Sequence, residues 1–430
     1  MAVTGRLVLL ALAGLVPILA FPSPGTVLLW VALLVASCTL DLVLAASPRA
    51  VALQRIVPEG VRLGQDTDAE LLLTNTSNRT LRALVRDGWQ PSAGARNPRQ
   101  RTTIGAHERR RLIVALRPIR RGEVASPHAT IRSFGPLGLA ARQATLPLPG
   151  VLRVLPPFNS KRHLPGKLRL LRELDGKAAV QIRGAGTEFD SLRDYVQGDD
   201  VRSIDWRATA RRRDVVVRTW RPERDRRVVI VLDTSRTSAA RIEDEPRLDT
   251  GIEAALLLAA LADRGGDRVD FAAFDRRVRA RVSSAAKGNL LSSLVRSMAP
   301  LQPQLIELDY AAVPGVVRSL SSHRALVVLL TSLDAGSAEE GLIPLVSALV
   351  GSHVVVVASV RDPALEEMRA GVSTVVETYR AAAAEHALLE RGAVASALRQ
   401  LGAEVVDADP HQLPPQLADA YIRLKAAGRL

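Results

Sequence analysis

Asp233, Ser235 and Thr237 stand at alternate positions where an apolar run ends, in the stretch RVVIVLDTSRTSA from Arg227 to Ala239. In an extended segment a spacing of two puts side chains on one side. One carboxylate and two hydroxyls are hard oxygen ligands, suited to Mg²⁺ with water completing an octahedron. The same residues also suit a local role, an Asx-turn with hydroxyl capping of the next helix. A second stretch, LLTSLDAG, brings Thr331, Ser332 and Asp334 after another apolar run. Any of these could complete a metal shell, or cap a helix beginning near Ala338.

Such residues need a scaffold that delivers them to one place. From residue 226 onward, short Val/Leu-rich runs (RRVVIVLD, RVDFAAF, ALVVLLTSL, HVVVVASV, AEVVDAD) alternate with helical patterns. The first helix, RLDTGIEAALLLAALADRGG, is given a start by Asp249 as cap and a stop by its glycines. Continuous apolar strands between helices predict a parallel sheet covered on both faces, a doubly wound α/β domain over 226–430. Ligands of such sheets sit beyond the carboxyl ends of the strands, which is where Asp233 falls.

Upstream the texture changes. Residues 7–21 and 27–46 are apolar runs separated by FPSPGT, and Asp41 is the one charge in the second. A span needs about 20 apolar residues. The pattern predicts an uncleaved two-helix transmembrane hairpin in residues 1–50, with a cleaved first segment as the alternative. Arg6 before the first run, with Arg49 and Arg55 after the second, orients both ends to the cytoplasm. The chain is thus expected as a multi-pass protein of the inner, or cytoplasmic, membrane with its soluble domains facing the cytoplasm. Residues 51–157 carry short, partly alternating apolar runs punctuated by Asn, Ser, Gly and Pro, which predict a small all-β sandwich. Residues 158–225 read as a basic connector followed by a segment dense in Arg and Asp.

Composition narrows the function classes. Over 430 residues the net charge is +14 and a single cysteine, Cys38, excludes a disulfide framework. The seven histidines are scattered without a zinc-binding pair. The positive charge raises nucleic acid as a partner, but no reader motif appears and aromatics are few. From Glu188 to Arg227 basic and acidic residues interleave, which points to salt-bridge networks or a protein interface rather than a nucleic-acid stripe. In GAGTEF, Phe189 occupies the place of a third loop glycine, so no phosphate cradle is expected. Tyr195 and Trp206, flanked by arginines, are of the types that dominate interface energies. The alternative is that Trp206 and Phe189 anchor the segment onto the α/β domain while its arginines pair internally.

The stretch GAGTEFDSLRDYVQGDDVRSIDWRATARRRDVVVRTWRPERDRRVVIVLD carries Gly184, Gly186, Glu188, Phe189, Arg193, Tyr195, Gly198, Asp199, Arg202, Asp205, Trp206, Ala210, Arg211, Val217, Arg218 and Glu223 in one order. In this it resembles the signature of the domain-of-unknown-function-58 family, bacterial membrane proteins with a von Willebrand factor A-like domain. The resemblance implies that fold after the hairpin and sandwich, and a metal-ion-dependent adhesion site whose D-x-S-x-S maps onto Asp233, Ser235 and Thr237. Two departures stand out. No threonine suits the second loop near 301–309, and Ser332 stands where an aspartate is wanted, with Asp334 two residues late. The implied metal set is Asp233, Ser235, Thr237 and Asp334, holding Mg²⁺ in degenerate form.

The expected function is that of a binding and adaptor protein, not an enzyme. The resemblance implies a MoxR-type AAA+ ATPase as partner and an unidentified client, with Arg193, Tyr195, Asp199, Arg202, Asp205, Trp206 and Arg211 as the docking surface. The alternative is a Mg²⁺-dependent enzyme of phosphoryl chemistry resting on Asp233 and Asp334. No P-loop, G-x-S-x-G or Ser/His/Asp order supports that alternative.

Overall fold

The computed structural model describes residues 2–181, 188–212, 214–221, 226–283, 289–334, 336 and 338–430. They form two compact units, Met1–Pro157 and Phe158–Leu430.

The first unit opens with a two-residue strand, β1 (Ala2–Val3), and three apolar helices, α1 (Gly5–Ala13), α2 (Leu15–Ala20) and α3 (Pro24–Leu44). Among the described residues only α3 is long and apolar enough to cross a membrane; Gly5–Ala20 is a shorter apolar stretch. A side chain at Gly14 would collide with the Trp30 indole at 2.0 Å, so glycine is what lets the first helical segment lie against α3.

Two sheets follow. One is ordered β2 (Val51–Ile56), β4 (Thr67–Asn75), β8 (Arg109–Leu116), β6 (Ala95–Arg96). The other is ordered β1, β10 (Ala140–Leu155), β9 (Gly122–Phe134), β5 (Leu81–Asp87), β7 (Arg99–Ile104), with β3 (Val61–Arg62) also on β10. From Ala69 on, strand β4 alternates buried and half-buried positions, with one face turned fully into the core. Leu71 and Leu73 of one sheet pack with Leu81, Val85 and Ile131 of the other. Arg55, read from sequence as an orienting charge beside the membrane, is instead an interior residue. Its guanidinium is ion-paired to Asp87 with both side chains almost fully buried, and it lies over the Trp89 ring.

The second unit begins with α4 (Leu164–Gln181) and a separate two-stranded hairpin, β11 (Glu188–Asp194) and β12 (Val216–Arg221), enclosing α5 (Trp206–Arg212). Its main sheet runs β17 (Val278–Val282), β16 (Arg268–Phe274), β13 (Arg227–Asp233), β18 (Leu326–Leu330), β19 (Val354–Val360), β20 (Glu404–Ala408). Every neighbouring pair is parallel except β16 with β17. Val228 to Leu232 are all buried, because both faces of the strand are covered.

On one face, Val229 and Val231 pack with Val313 and Val317 of α8 (Val313–Leu320), Val346 of α9 (Ile343–Val350) and Leu398 of α11 (Val375–Gln400). The remaining helices are α6 (Arg247–Arg264), α7 (Leu290–Met298), α10 (Ala364–Ala370) and α12 (Leu413–Ala426). Leu248 to Ala262 of α6 are buried apart from Glu253, which makes it a core helix rather than an amphipathic surface one. Asp249 does not cap α6, as the spacing predicted; Pro246 holds that place and Asp249 lies in the first turn. Gly251 of α6 faces Leu232, whose Cδ1 would be 2.9 Å from an added Cβ, so the helix sits close beneath the end of β13.

Candidate functional site

Strand order reverses between β13 and β18. β16 follows β13 in sequence and lies on one side, and β18 lies on the other. In a doubly wound sheet this switch point opens the crevice that ligands use. Asp233 ends β13 at this point, and Thr331 comes directly after β18.

The two meet. Thr331 Oγ1 donates to Asp233 Oδ2 at 2.7 Å. Thr237 Oγ1 donates to the same oxygen at 3.2 Å and lies 3.3 Å from Ser235 Oγ. The backbone N–H of Ser235 donates to Asp233 Oδ1 at 2.7 Å, and Ser238 Oγ to the Asp233 carbonyl at 2.7 Å. Of the two readings of D-T-S-R-T, the local turn is what the hydrogen bonds trace. The aspartate makes the Asx-type turn, and the hydroxyls converge on it. Burial pushes the Asp233 carboxyl above its ordinary range, against the pull of its hydrogen bonds from Ser235, Thr331 and Thr237. Ser332 is buried beside Thr331, and its hydroxyl has no hydrogen-bond partner.

Asp334 is placed elsewhere. Its carboxylate faces Arg247 Nη1 and Arg391 Nη1, each at 3.4 Å. Arg247 Nη1 also donates to the Thr237 carbonyl at 3.2 Å, and Arg391 Nη2 pairs with Asp407 at 2.6 Å and bonds Ser359 Oγ at 2.9 Å. Asp334, implied as the fourth metal ligand, is thus committed to two guanidinium groups, and Thr331, which the sequence also offered to complete a metal shell, reaches Asp233 instead. Among the described residues no three His, Cys, Asp or Glu side chains gather as metal ligands. What the site offers a cation is one carboxylate and the hydroxyls of Ser235, Thr237 and Thr331. That set matches Mg²⁺ in donor hardness and supplies a single negative charge.

The signature segment folds on itself. Arg193 Nη1 and Nη2 grip Asp199 at 2.7 and 2.6 Å, and Asp199 also accepts the Val196 N–H at 2.9 Å. The Arg193 hydrogen bond holds the Asp199 carboxyl below its ordinary range. Asp205 accepts the N–H groups of Arg207 and Ala208 at 3.0 Å each and Arg218 Nε at 2.8 Å. Asp205 thereby starts α5, and its carboxyl is lowered by the Ala208 N–H and then by Arg218. Trp206 is left 67% exposed and Tyr195 37% exposed. Arg202 and Arg211 are exposed on the same segment. The arginines that pair internally agree with the alternative read from sequence; the exposed indole does not, since Trp206 is no anchor. Gly184, Gly186 and Glu223 of the signature lie outside the described residues.

The family resemblance is borne out by comparison. Residues 191–400, just under half of the chain, match the family described as "Protein of unknown function DUF58". Uncharacterized proteins of Mycobacterium tuberculosis and Mycobacterium bovis are 27% identical to this chain over 199 residues, 46% of its length. The match spans 62% of the length of those relatives. Among solved structures, the PapD-like domain 7 of human CEP192 is 12% identical, covering 24% of this chain and 84% of that one, at a TM-score of 0.20. A Caenorhabditis elegans MSP family member, WR4, is 13% identical over 24% of this chain and 97% of its own, at 0.18. Those scores are too low to carry a fold assignment.

Proposed function

We propose that the chain is a membrane-anchored adaptor whose second unit, a von Willebrand factor A-like domain, docks a protein partner and performs no chemistry of its own. The observation that carries this reading is the exposed indole of Trp206, set in a hairpin whose own ion pairs hold it in shape. An exposed tryptophan in a segment that also exposes Tyr195, Val196 and Val201 is the kind of anchor that interfaces bury. Arg202 and Arg211 supply a charged rim, and the Arg193–Asp199 and Asp205–Arg218 pairs stiffen the platform.

The strand order, with its switch point at Asp233 and one antiparallel edge, supports the A-like assignment. In this reading Asp233, Ser235, Thr237 and Thr331 would hold Mg²⁺, which when bound would draw a partner's carboxylate to the crest. The family resemblance makes a MoxR-type AAA+ ATPase the partner to look for, with a client protein beyond it.

Two features support a hairpin with both ends on one side of the bilayer. Strand β1, before the first helix, pairs with β10, and Asp41 at the end of α3 is held by the loop just before β10. With Arg6 and Arg49 at the two ends, that side is the cytoplasm.

The test is affinity capture with the full-length chain from solubilised membranes, with Mg²⁺ and ATP present. Recovery of an AAA+ ATPase that is lost in Trp206→Ala supports the reading. Equal recovery by Trp206→Ala and the parent chain sinks it.

A further inference from the structure

A cavity of about 160 Å³ lies in the second unit, apart from Asp233 and from Trp206. Its walls are the turn at Asn159–His163, the turn between β14 (Arg241–Ile242) and β15 (Glu245–Pro246), the start of α6, and residues 410–414 leading into α12. Glu243, Asp244, Glu245 and Glu253 line it, against one guanidinium, Arg162, and two imidazoles, His163 and His411. In a chain of net charge +14 this is a local inversion of sign. The carboxylates repel one another there. Burial first, then the charges of Asp249, Glu253 and Glu243, push the Glu245 carboxyl above its ordinary range, with His411 opposing. His411 itself lies 3.8 Å from Glu243.

A second observation is independent of charge. Ser160 lines the same cavity, is 5% exposed, and has a buried hydroxyl with no hydrogen-bond partner. Its backbone N–H is satisfied by Glu253. A buried hydroxyl left unpaired is costly, and a ligand carrying N–H groups would relieve it.

We infer that this cavity receives an organic cation, an ammonium or guanidinium group, held by the Glu243, Glu245 and Glu253 carboxylates with Ser160 accepting one of its N–H groups. The volume suits the head of one basic side chain and falls short of the roughly 300 Å³ of a drug-sized site. A compact metal ion would need its ligands drawn to a single point. Among the described residues no three His, Cys, Asp or Glu side chains are so arranged. A guanidinium spreads its donors over a wider ring of acceptors. The group belongs either to a basic side chain of a partner polypeptide or to a free polyamine.

The experiment is calorimetric titration of the full chain in nanodiscs of zwitterionic lipid. The probes are a blocked Gly-Gly-Arg-Gly-Gly peptide, arginine amide, spermidine and, separately, MgCl₂. Saturable binding of the peptide or of a free amine is expected, and which of them binds tighter names the source. Glu243→Gln with Glu245→Gln should weaken it about ten-fold, as loss of charge-assisted hydrogen bonds does. Ser160→Ala, which alters only the unpaired hydroxyl, should weaken it by about three-fold with the thermal midpoint retained. Asp66→Asn, an exposed change in the first unit, should leave it unchanged. The inference is overturned if no organic cation binds saturably, if the double substitution leaves binding intact, or if MgCl₂ displaces the peptide at equal or lower concentration.

Discussion

The Asp41 carboxylate accepts four backbone N–H groups from a single loop. Leu137 and Gly138 donate to Oδ1 at 2.8 and 3.3 Å, and Leu139 and Ala140 donate to Oδ2 at 2.7 and 2.9 Å. The side chain is fully buried. One acid on an apolar helix thus ties that helix to the sandwich. The contact is tight enough that a Cβ at Gly135 would lie 2.1 Å from the same carboxylate. Asp41→Asn turns one acceptor into a donor and strips partners from two buried N–H groups. At about 1–3 kcal/mol for each buried group left unpaired, the loss should be about 2–6 kcal/mol. Hydrogen exchange at residues 137–140 of the reconstituted protein should speed up; unchanged protection would mean the loop is held by other contacts.

Thr331 and Asp233 join β18 to β13 across the switch point. Thr331→Val should cost about 1 kcal/mol, and Asp233→Ala about 2–4 kcal/mol because several donors lose one acceptor. The double variant should lose less than the sum of the two, since both remove the same bond. Denaturation of the four proteins, followed by circular dichroism, measures the coupling; strictly additive losses would show that the contact contributes nothing.

Trp206 makes the opposite prediction. With most of its surface in solvent, its replacement by alanine should change stability by no more than about 0.5 kcal/mol. Partner capture should still fall at least ten-fold, as for a central interface aromatic. A large drop in thermal midpoint would instead mark the indole as a structural support of the hairpin.

Asp275 sets an acid limit. Burial alone would raise its carboxyl, but Arg279 Nε at 2.5 Å, the N–H groups of Arg276 and Arg277, and the Thr234 hydroxyl outweigh it and leave it below its ordinary range. The unfolded chain therefore binds this proton more readily than the folded one. Its stabilising contribution is complete above the ordinary carboxylate range and is lost as pH falls through the depressed value. Thermal melts taken from about pH 5 down to about pH 2 should show a steeper acid decline in the parent chain than in Asp275→Asn. Identical slopes would remove Asp275 from the account.

What could be read from the residues follows their chemistry. Val228–Leu232, Leu326–Leu330 and Val354–Val360 announce themselves as strands because every position but Ser359 is apolar, and they are buried strands. Strand β17, VRARV, gave no such signal, since Arg279 and Arg281 alternate into its pattern. The β11–β12 hairpin was hidden for the same reason, its sequence being rich in Arg and Asp. At the crest, the Asp233–Ser235–Thr237 turn was visible because its spacing is local. The choice between Thr331 and Asp334 was not, because Arg247 and Arg391, which claim Asp334, lie on helices 87 and 57 residues away in the chain. Asp41 was conspicuous as a charge, but its partners are backbone N–H groups, which leave no mark on a sequence. The acidic cavity was equally silent, assembled from three separated segments.

The Asp41 contact also sets an order of events during biosynthesis. The carboxylate leaves the ribosome 96 residues before the first of its donors, Leu137. At roughly 5–20 residues per second, that is an interval of about 5–20 seconds. The apolar helix must enter its surroundings with this acid still lacking its donors, and the sandwich must close on it afterwards. A slowdown of translation between these points would lengthen the stay of an unneutralised charge at the helix end. A quality-control protease that inspects nascent membrane segments would have that much longer to act.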